Sequence, residues 1–474
     1  MTIKPCVRCA AANPETALDQ ALLAFAGSPL AEQLLLVDFT LREYWRDGTP
    51  ETPLLALYHL RRQESAIRID VSVLPAESAD ALAQYSSSQS PSSQSRSAQD
   101  IGAWLDRHRV CRLSLERPLP LLPVAIPKPW GQEIWYTGIE RRGVAAVGTE
   151  ALSLPLPWLL AAAPRRLRGA AEHELILLKI LDPLPDEVYG DLYFELHRQK
   201  QEVYVVTDVN REAWPDGTGA IRFGFNAELR AGHDDDAQFL RAYLAAVGEY
   251  RQIRSRIDEL LDGRRASEGV GLSDPVSSAT LRRWLAEIPR DLQDREREKR
   301  EAMERFTGVL PLRVGDVVKV PCWVPHSLQH GVRTVEFQTP VYERLILSFA
   351  QKVLTQAGWD TEEAAAVLQL DPPEPQAWEV TAQGQGWIEE RIVRFDDFEV
   401  RRITLEAGAQ RWFDAPEAYA LCMVIGGALR FDGIDMKLDQ AVLVPRGWEG
   451  GSAVNRGQEP RRLLWAVPRA AEAS

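Results

Sequence analysis

Short apolar runs punctuated by turn residues fill two stretches of this chain, and few folds accommodate that pattern. From Leu121 to about Asn226 come "LILLKILDP", "GDLYFELH", "QEVYVVTDV" and "AIRFGFN". After Asp371 and a Pro-rich joint come "EVRRITLEAG", "AYALCMVIGGALRFDG", "QAVLVPRG" and "PRRLLWAVP". Runs of this length, closed by Gly, Pro, Asn and Asp, predict short strands in small barrels or sandwiches. Between the two stretches the texture turns helical and charged, from about Asp234 to Thr307. "DAQFLRAYLAAVGEYRQIRSRIDELLDG" has the apolar spacing of one long helix ending at Gly263. Asp294 to Phe306 is a mixed-charge run that suits a solvated helix face with i,i+4 pairs. Strand texture returns at "LRVGDVVKVPCWVPHSL" and "VRTVEFQT", and "YERLILSFAQKVLTQAG" reads as a helix. The expected fold is mainly β with a helical insertion, built on two barrels of one kind.

The chain's 474 residues predict several domains. "ALDQALLAFAG" and "LAEQLLLVDFTLREYW" suit amphipathic helices ending near Gly27 and Gly48, and "AIRIDVSVLP" alternates like a strand. The run "SSSQSPSSQSRS", Ser86 to Ser97, has no apolar residue to bury, so it reads as a flexible linker. The expected map is an extra α/β module at 1–85, the linker at 86–97, and the first part of a barrel at 98–230. A helical insertion follows at 231–310, return strands at 311–345, a helix and linker at 346–375, and a second barrel at 376–474.

Composition narrows the function. Hydrophobic residues are 45% and charged residues 26%, which is ordinary for a globular protein. The formal net charge of -13 disfavours nucleic acid and anionic membranes as partners. The N-terminus "MTIKPCVRCAAANPE" has no apolar signal core, and "LSLPLPWLLAAAP" is too short and too rich in proline to span a bilayer, so a cytoplasmic location is expected. Five scattered cysteines do not form a disulfide framework. Cys6 and Cys9 make a C-x-x-C without the second pair that a structural zinc site wants.

One stretch concentrates chemistry. In "ELHRQKQEVYVV", Glu195 and His197 are two apart on a strand and share a face. If "RQKQ" closes a hairpin, His197 and Glu202 become cross-strand neighbours, with Cβ atoms roughly 4.5–5.5 Å apart. That spacing suits one metal ion. His326, in "VPCWVPHSLQHG", is the best distant third ligand, and His330 is a possible substitute. Cys322 reads as a small buried hydrophobe, and Trp130 and Trp135 as core or rim aromatics.

Several stretches together resemble the type I mannose-6-phosphate isomerases, zinc enzymes of the cupin superfamily. "KPWGQEIW" resembles their K-P-W-G-G-x-x-L signature, and "LILLKILDP" their P-L-L-x-K-I-L-D-A strand. "ELH" lies where the family has Q-V-H, and "KQEVYVV" where it has K-x-E. "VPHSLQHGVRTVEFQTPVYER" resembles the family's segment carrying a metal histidine, L-E-x-Q and T-Y-R. The resemblance covers roughly residues 121 to 474.

It implies two cupin (jelly-roll) barrels, the second free of metal. It also implies a divalent cation, Zn2+ foremost, on His197, Glu202 and His326, with Glu195 in place of a glutamine ligand. Glu336, Arg344 and Lys179 are the implied catalytic residues. The implied reaction interconverts mannose 6-phosphate and fructose 6-phosphate through an enediol(ate), with a small-molecule sugar phosphate as the partner. Two departures from the pattern, Glu195 and Arg198, keep two other readings open. One is a degenerate cupin that binds a sugar or sugar phosphate as regulator or scaffold. The other is an isomerase or epimerase of an unphosphorylated sugar.

Overall fold

The structure is a computed structural model; it describes residues 6–64, 66–78, 98–169, 174–271, 274, 276–354, 356–371 and 377–469. The Ser86–Ser97 linker expected from the sequence lies outside the described residues. The chain divides into two compact units. One comprises Met1–Val124, Trp135–Leu178 and Trp378–Ser474; the other comprises Ala125–Ile134 and Lys179–Ala377.

The second unit is a jelly-roll barrel of two facing sheets. The six-stranded sheet runs, in spatial order, Val317–Val320, Glu202–Val209, Val332–Gln338, Leu177–Pro183, Gly131–Trp135 and Val124–Lys128. The five-stranded sheet runs Thr307–Leu312, Gly219–Phe225, His326–Leu328, Phe194–Leu196 and Leu345–Ser348. Their inward faces form a core that includes Leu181, Tyr204, Val206, Ile221, Leu328 and Ile346. Gly131 is required where it stands: its φ is +147°, and a Cβ there would meet the carbonyl oxygen of Asp182 at 2.3 Å.

The helical insertion has a structural task. Asp235 caps the helix Asp236–Ser267, its side chain accepting from the Gln238 amide at 2.6 Å. Phe239, Tyr243, Val247, Tyr250, Arg254, Ile257 and Leu261 recur every three or four residues and are buried along one face. The first four of these pack with Phe194, Leu196, Leu345 and Leu347 on the outer side of the five-stranded sheet. That leaves the alternate residues, Glu195 and His197, for the inside. The helix runs four residues beyond Gly263, where the sequence suggested its end, because an isolated glycine weakens a helix without breaking it.

The other unit holds a second barrel. A nine-stranded sheet includes Ala441–Val444, Ala420–Gly426, Arg461–Pro468, Phe398–Leu405 and Trp387–Arg394, and a four-stranded sheet of Gln410–Phe413, Gly451–Val454, Leu429–Phe431 and Ile434–Met436 accompanies it. Its core includes Ile403, Leu405, Cys422, Phe431, Leu463 and Trp465.

Four expectations need correction. "LAEQLLLVDFTLREYW" is not a helix; Glu32–Arg42 is a strand between Cys6–Ala10 and Glu51–Gln63. Flanked on both edges and buried on both faces, it reads as a continuous apolar run. "YERLILSFAQKVLTQAG" is likewise no helix: Leu345–Ser348 is a strand with all four residues buried. Finally, residues 6–64 and 66–78, the described part of the expected separate module, do not stand apart. Leu113–Ser114 extends their sheet. Tyr58 donates to the Ala162 carbonyl at 2.6 Å, and Trp158 Nε1 donates to Glu43 at 2.8 Å. Leu119–Leu122, expected in the first barrel, pairs with Ala441–Val444 of the second.

No helix among the described residues is long and apolar enough to cross a membrane. Cys6 and Cys9 sit on one strand three residues apart, so they face opposite sides and cannot share an ion.

Candidate metal centre

The site begins with a turn. Residues 198–201 do not close the hairpin that the sequence suggested. They carry the chain from the five-stranded sheet, which holds Phe194–Leu196, to the six-stranded sheet, which holds Glu202–Val209. His197 and Glu202 therefore meet across the barrel interior, not along a ladder. The Glu343 carboxylate fixes this turn by accepting from the amides of Arg198, Gln199 and Lys200 at 2.7, 3.0 and 3.2 Å. Arg198 turns outward to Glu363 at 2.6 Å, away from the cluster.

His326 arrives by pairing. Its strand lies beside Phe194–Leu196, with Glu195 opposite His326. Glu195, His197 and His326 each bring one ligand atom within 4.8 Å of the others, and the group could hold a metal ion. Glu202 touches both histidines: Oε1 lies 3.4 Å from His197 Nε2, and Oε2 lies 3.2 Å from His326 Nε2.

The hydrogen bonds at the back of the rings decide what the front can do. Each Nδ1 lies 3.1 Å from a backbone carbonyl, Glu343 for His197 and Val324 for His326. A carbonyl only accepts, so each Nδ1 carries a proton, and in the neutral form of either ring the lone pair sits on the inward-facing Nε2. Burial, reinforced by the Lys200 ammonium, holds the His197 pKa below its ordinary value, which keeps that ring neutral. His197 Nε2 and Glu195 Oε2 are buried and make no hydrogen bond. Imidazole lone pairs that converge with the Glu195 carboxylate suit a divalent cation. The donor set fits the group that the sequence resemblance implies.

A second set of charges lies beside the first. Lys179 Nζ is 3.3 Å from Glu336 and 3.8 Å from Glu133, which in turn takes Lys128 at 3.1 Å. Burial alone would lower the Lys179 pKa, but the surrounding carboxylates override it and keep the ammonium. Burial, with the Glu202 charge, pushes the Glu336 carboxyl well above the usual range, and its Oε1 has no hydrogen-bond partner. Burial would also raise Glu202, but Lys200 and the histidines hold it well below the usual range. Arg344 stacks over Tyr193 at 4.6 Å, and its Nε lies 3.8 Å from Glu195.

The structure thus brings together all seven residues singled out in the sequence. It sets His330 apart: its Nδ1 meets Asp191 at 2.7 Å and its ring stacks on Trp214. Cys322 is half-buried, with its thiol toward the Lys200 carbonyl at 3.8 Å. The residue missed was Lys200, whose Nζ lies 2.7 Å from Glu202. Its signals in the sequence were the K-x-E match and its place two residues before Glu202, on the same side of an extended chain.

No family model matches the chain, and no curated protein matches it. Among solved structures, the mannose 6-phosphate isomerase from Bacillus subtilis is similar at 14% identity and a TM-score of 0.49, over 74% of this chain and 99% of that one. A mutant phosphomannose isomerase from Salmonella typhimurium has 14% identity and 0.47 over the same shares. A putative mannosephosphate isomerase from Archaeoglobus fulgidus has 13% identity and 0.44, over 75% and 99%. At these values the matches assign neither activity nor residue roles to this chain.

Proposed function

We propose that the protein is a metal-dependent aldose–ketose isomerase that interconverts mannose 6-phosphate and fructose 6-phosphate. The observation that carries this reading is the juxtaposition inside one barrel of a cation-ready Glu195–His197–His326 group and the Lys179–Glu336 pair. Aldose–ketose isomerisation needs an oxyanion stabilised at C1 or C2 and one proton moved between those carbons. A divalent cation, zinc foremost, held by Glu195, His197 and His326 with Glu202 beside them, would supply Lewis-acid stabilisation of that oxyanion. Glu336 takes the proton from one carbon and returns it to the other, through the carboxylate oxygen that no protein donor occupies. Lys179 holds Glu336 in place and offsets its charge. Arg344, fixed over Tyr193, offers a permanent cation to the enediolate or to the phosphate. Lys200 orients Glu202.

One observation favours a binding role without turnover. Glu202 is already satisfied by the Lys200 ammonium and the Tyr204 hydroxyl, each at 2.7 Å, so this carboxylate has partners without a metal. A coupled assay of mannose 6-phosphate conversion on zinc-loaded protein, with His326→Ala as control, separates the two. Metal-dependent turnover that the variant loses supports the isomerase. Stoichiometric metal without turnover supports the binding role, and stoichiometric metal retained by His326→Ala removes the ligand assignment.

A further inference from the structure

Residues 339–344 join the strands Val332–Gln338 and Leu345–Ser348 and belong to neither sheet. They serve all four backbone amides of the turn at 198–201. Glu343 Oε1 takes three of them, from Arg198, Gln199 and Lys200 at 2.7, 3.0 and 3.2 Å. Thr339 takes the fourth. Its Oγ1 accepts from the Gln201 amide at 3.2 Å, and its own amide donates to the Gln201 carbonyl at 3.0 Å. Three successive N–H groups that converge on one oxygen make a concavity for an anion. Here a carboxylate of the same chain fills it, and hydrogen bonds to a charged acceptor are the strong ones.

The turn needs this help. Its sequence suggests a hairpin, but the observed crossover between sheets leaves its amides without ladder partners, and Glu343 supplies them. What the turn carries is the cluster itself: His197 precedes it, Lys200 lies within it and Glu202 follows it. The His197 ring is held from the same segment, with Nδ1 3.1 Å from the Glu343 carbonyl. The His197 carbonyl accepts from the Trp323 amide at 2.7 Å. Trp323 stands at φ +69°, a left-handed conformation that a bulky residue adopts only where its surroundings impose it. Glu343 thus grips the turn with its side chain and the imidazole with its backbone. The next residue is Arg344, whose Nε lies 3.8 Å from Glu195.

We propose that Glu343 is a positioning residue for the metal centre. Its carboxylate serves the turn and not the cation, and it sets how tightly His197, with Glu195 and His326, holds a divalent ion. Groups that orient a metal histidine from behind are worth about 10–100-fold in affinity. The inference rests on the cation reading of the cluster and not on the isomerase reaction.

The test measures cation binding, not turnover, on the full-length protein. Zinc affinity is read by competition with a chromogenic chelator, and ligand geometry by the visible spectrum of the cobalt(II) form. Glu343→Ala is expected to lose about tenfold or more in zinc affinity and to change the cobalt spectrum. Glu343 is half-buried, so water reaches the amides in the alanine variant and the fold persists. Glu343→Gln keeps an acceptor oxygen for the amides and is expected to recover part of the affinity and the wild-type spectrum. A wild type that binds no cation overturns the proposal together with the ligand assignment. Zinc affinity in Glu343→Ala within about tenfold of wild type overturns the positioning role alone. So does an unchanged cobalt spectrum, the mark of a general loosening, or a Glu343→Gln protein that binds no better than Glu343→Ala.

Discussion

Replacing Lys179 with methionine keeps most of the length of the side chain and removes its charge. The ammonium lies 3.3 Å from Glu336 and 3.8 Å from Glu133, all in the barrel interior. At an effective dielectric of about 20, charges at these separations attract by about 4–5 kcal/mol each, before the cost of burying the ammonium is deducted. Lys128 still serves Glu133 at 3.1 Å, so the variant's main deficit falls on Glu336. Breaking a buried pair by removing one partner costs about 3–5 kcal/mol, and Lys179→Met is expected in that range at pH 7. The deficit also depends on pH. Burial and Glu202 already raise the Glu336 pKa well above its unfolded value, and loss of Lys179 raises it further. A group with a raised folded pKa contributes its full stability below the unfolded pKa and loses it as pH rises through the folded one. The variant's deficit should therefore shrink as pH falls from 8 towards the carboxylate range. Urea denaturation of both proteins across that window, at constant ionic strength, measures it. A deficit below about 1 kcal/mol at pH 7, or one independent of pH, would refute the claim that Lys179 neutralises a buried Glu336.

Other outcomes follow from the same reasoning. His326→Ala removes one of the proposed ligands, and because even groups behind a ligand carry about 10–100-fold in metal affinity, it should weaken zinc binding at least about a hundredfold by competition with a chromogenic chelator. Leu196→Ala, fully buried between the five-stranded sheet and the long helix, should cost about 2–5 kcal/mol in urea denaturation; a smaller loss would mean that the helix does not seal the sheet. Cys111, pushed up to about 11 by burial, and Cys422, raised further for the same reason, should resist iodoacetamide at pH 8 in the native protein and react after denaturation, as peptide mass spectrometry would show.

The sequence by itself determined the period-2 runs, the charged helices and the identity of the reactive residues. Glu195, His197, Glu202 and His326 could be singled out because His and Glu at strand ends are few and their local spacing limits which face they share. Lys179, Glu336 and Arg344 came from motif resemblance alone, since nothing in a lone Lys within an apolar strand says what it faces. The short apolar run "LILS" was read as helix and is a strand, because residues buried on every side leave no periodicity to tell the two apart. Tertiary structure alone decided which sheet each strand joins. It sent residues 198–201 across the barrel where a hairpin was expected, and so placed Lys200 on Glu202. It also placed Leu119–Leu122 in the second barrel and brought Glu343 to the amides of that turn. These are contacts between residues far apart in the chain, set by register and burial across sheets, and local pattern carries no information about partners at that separation.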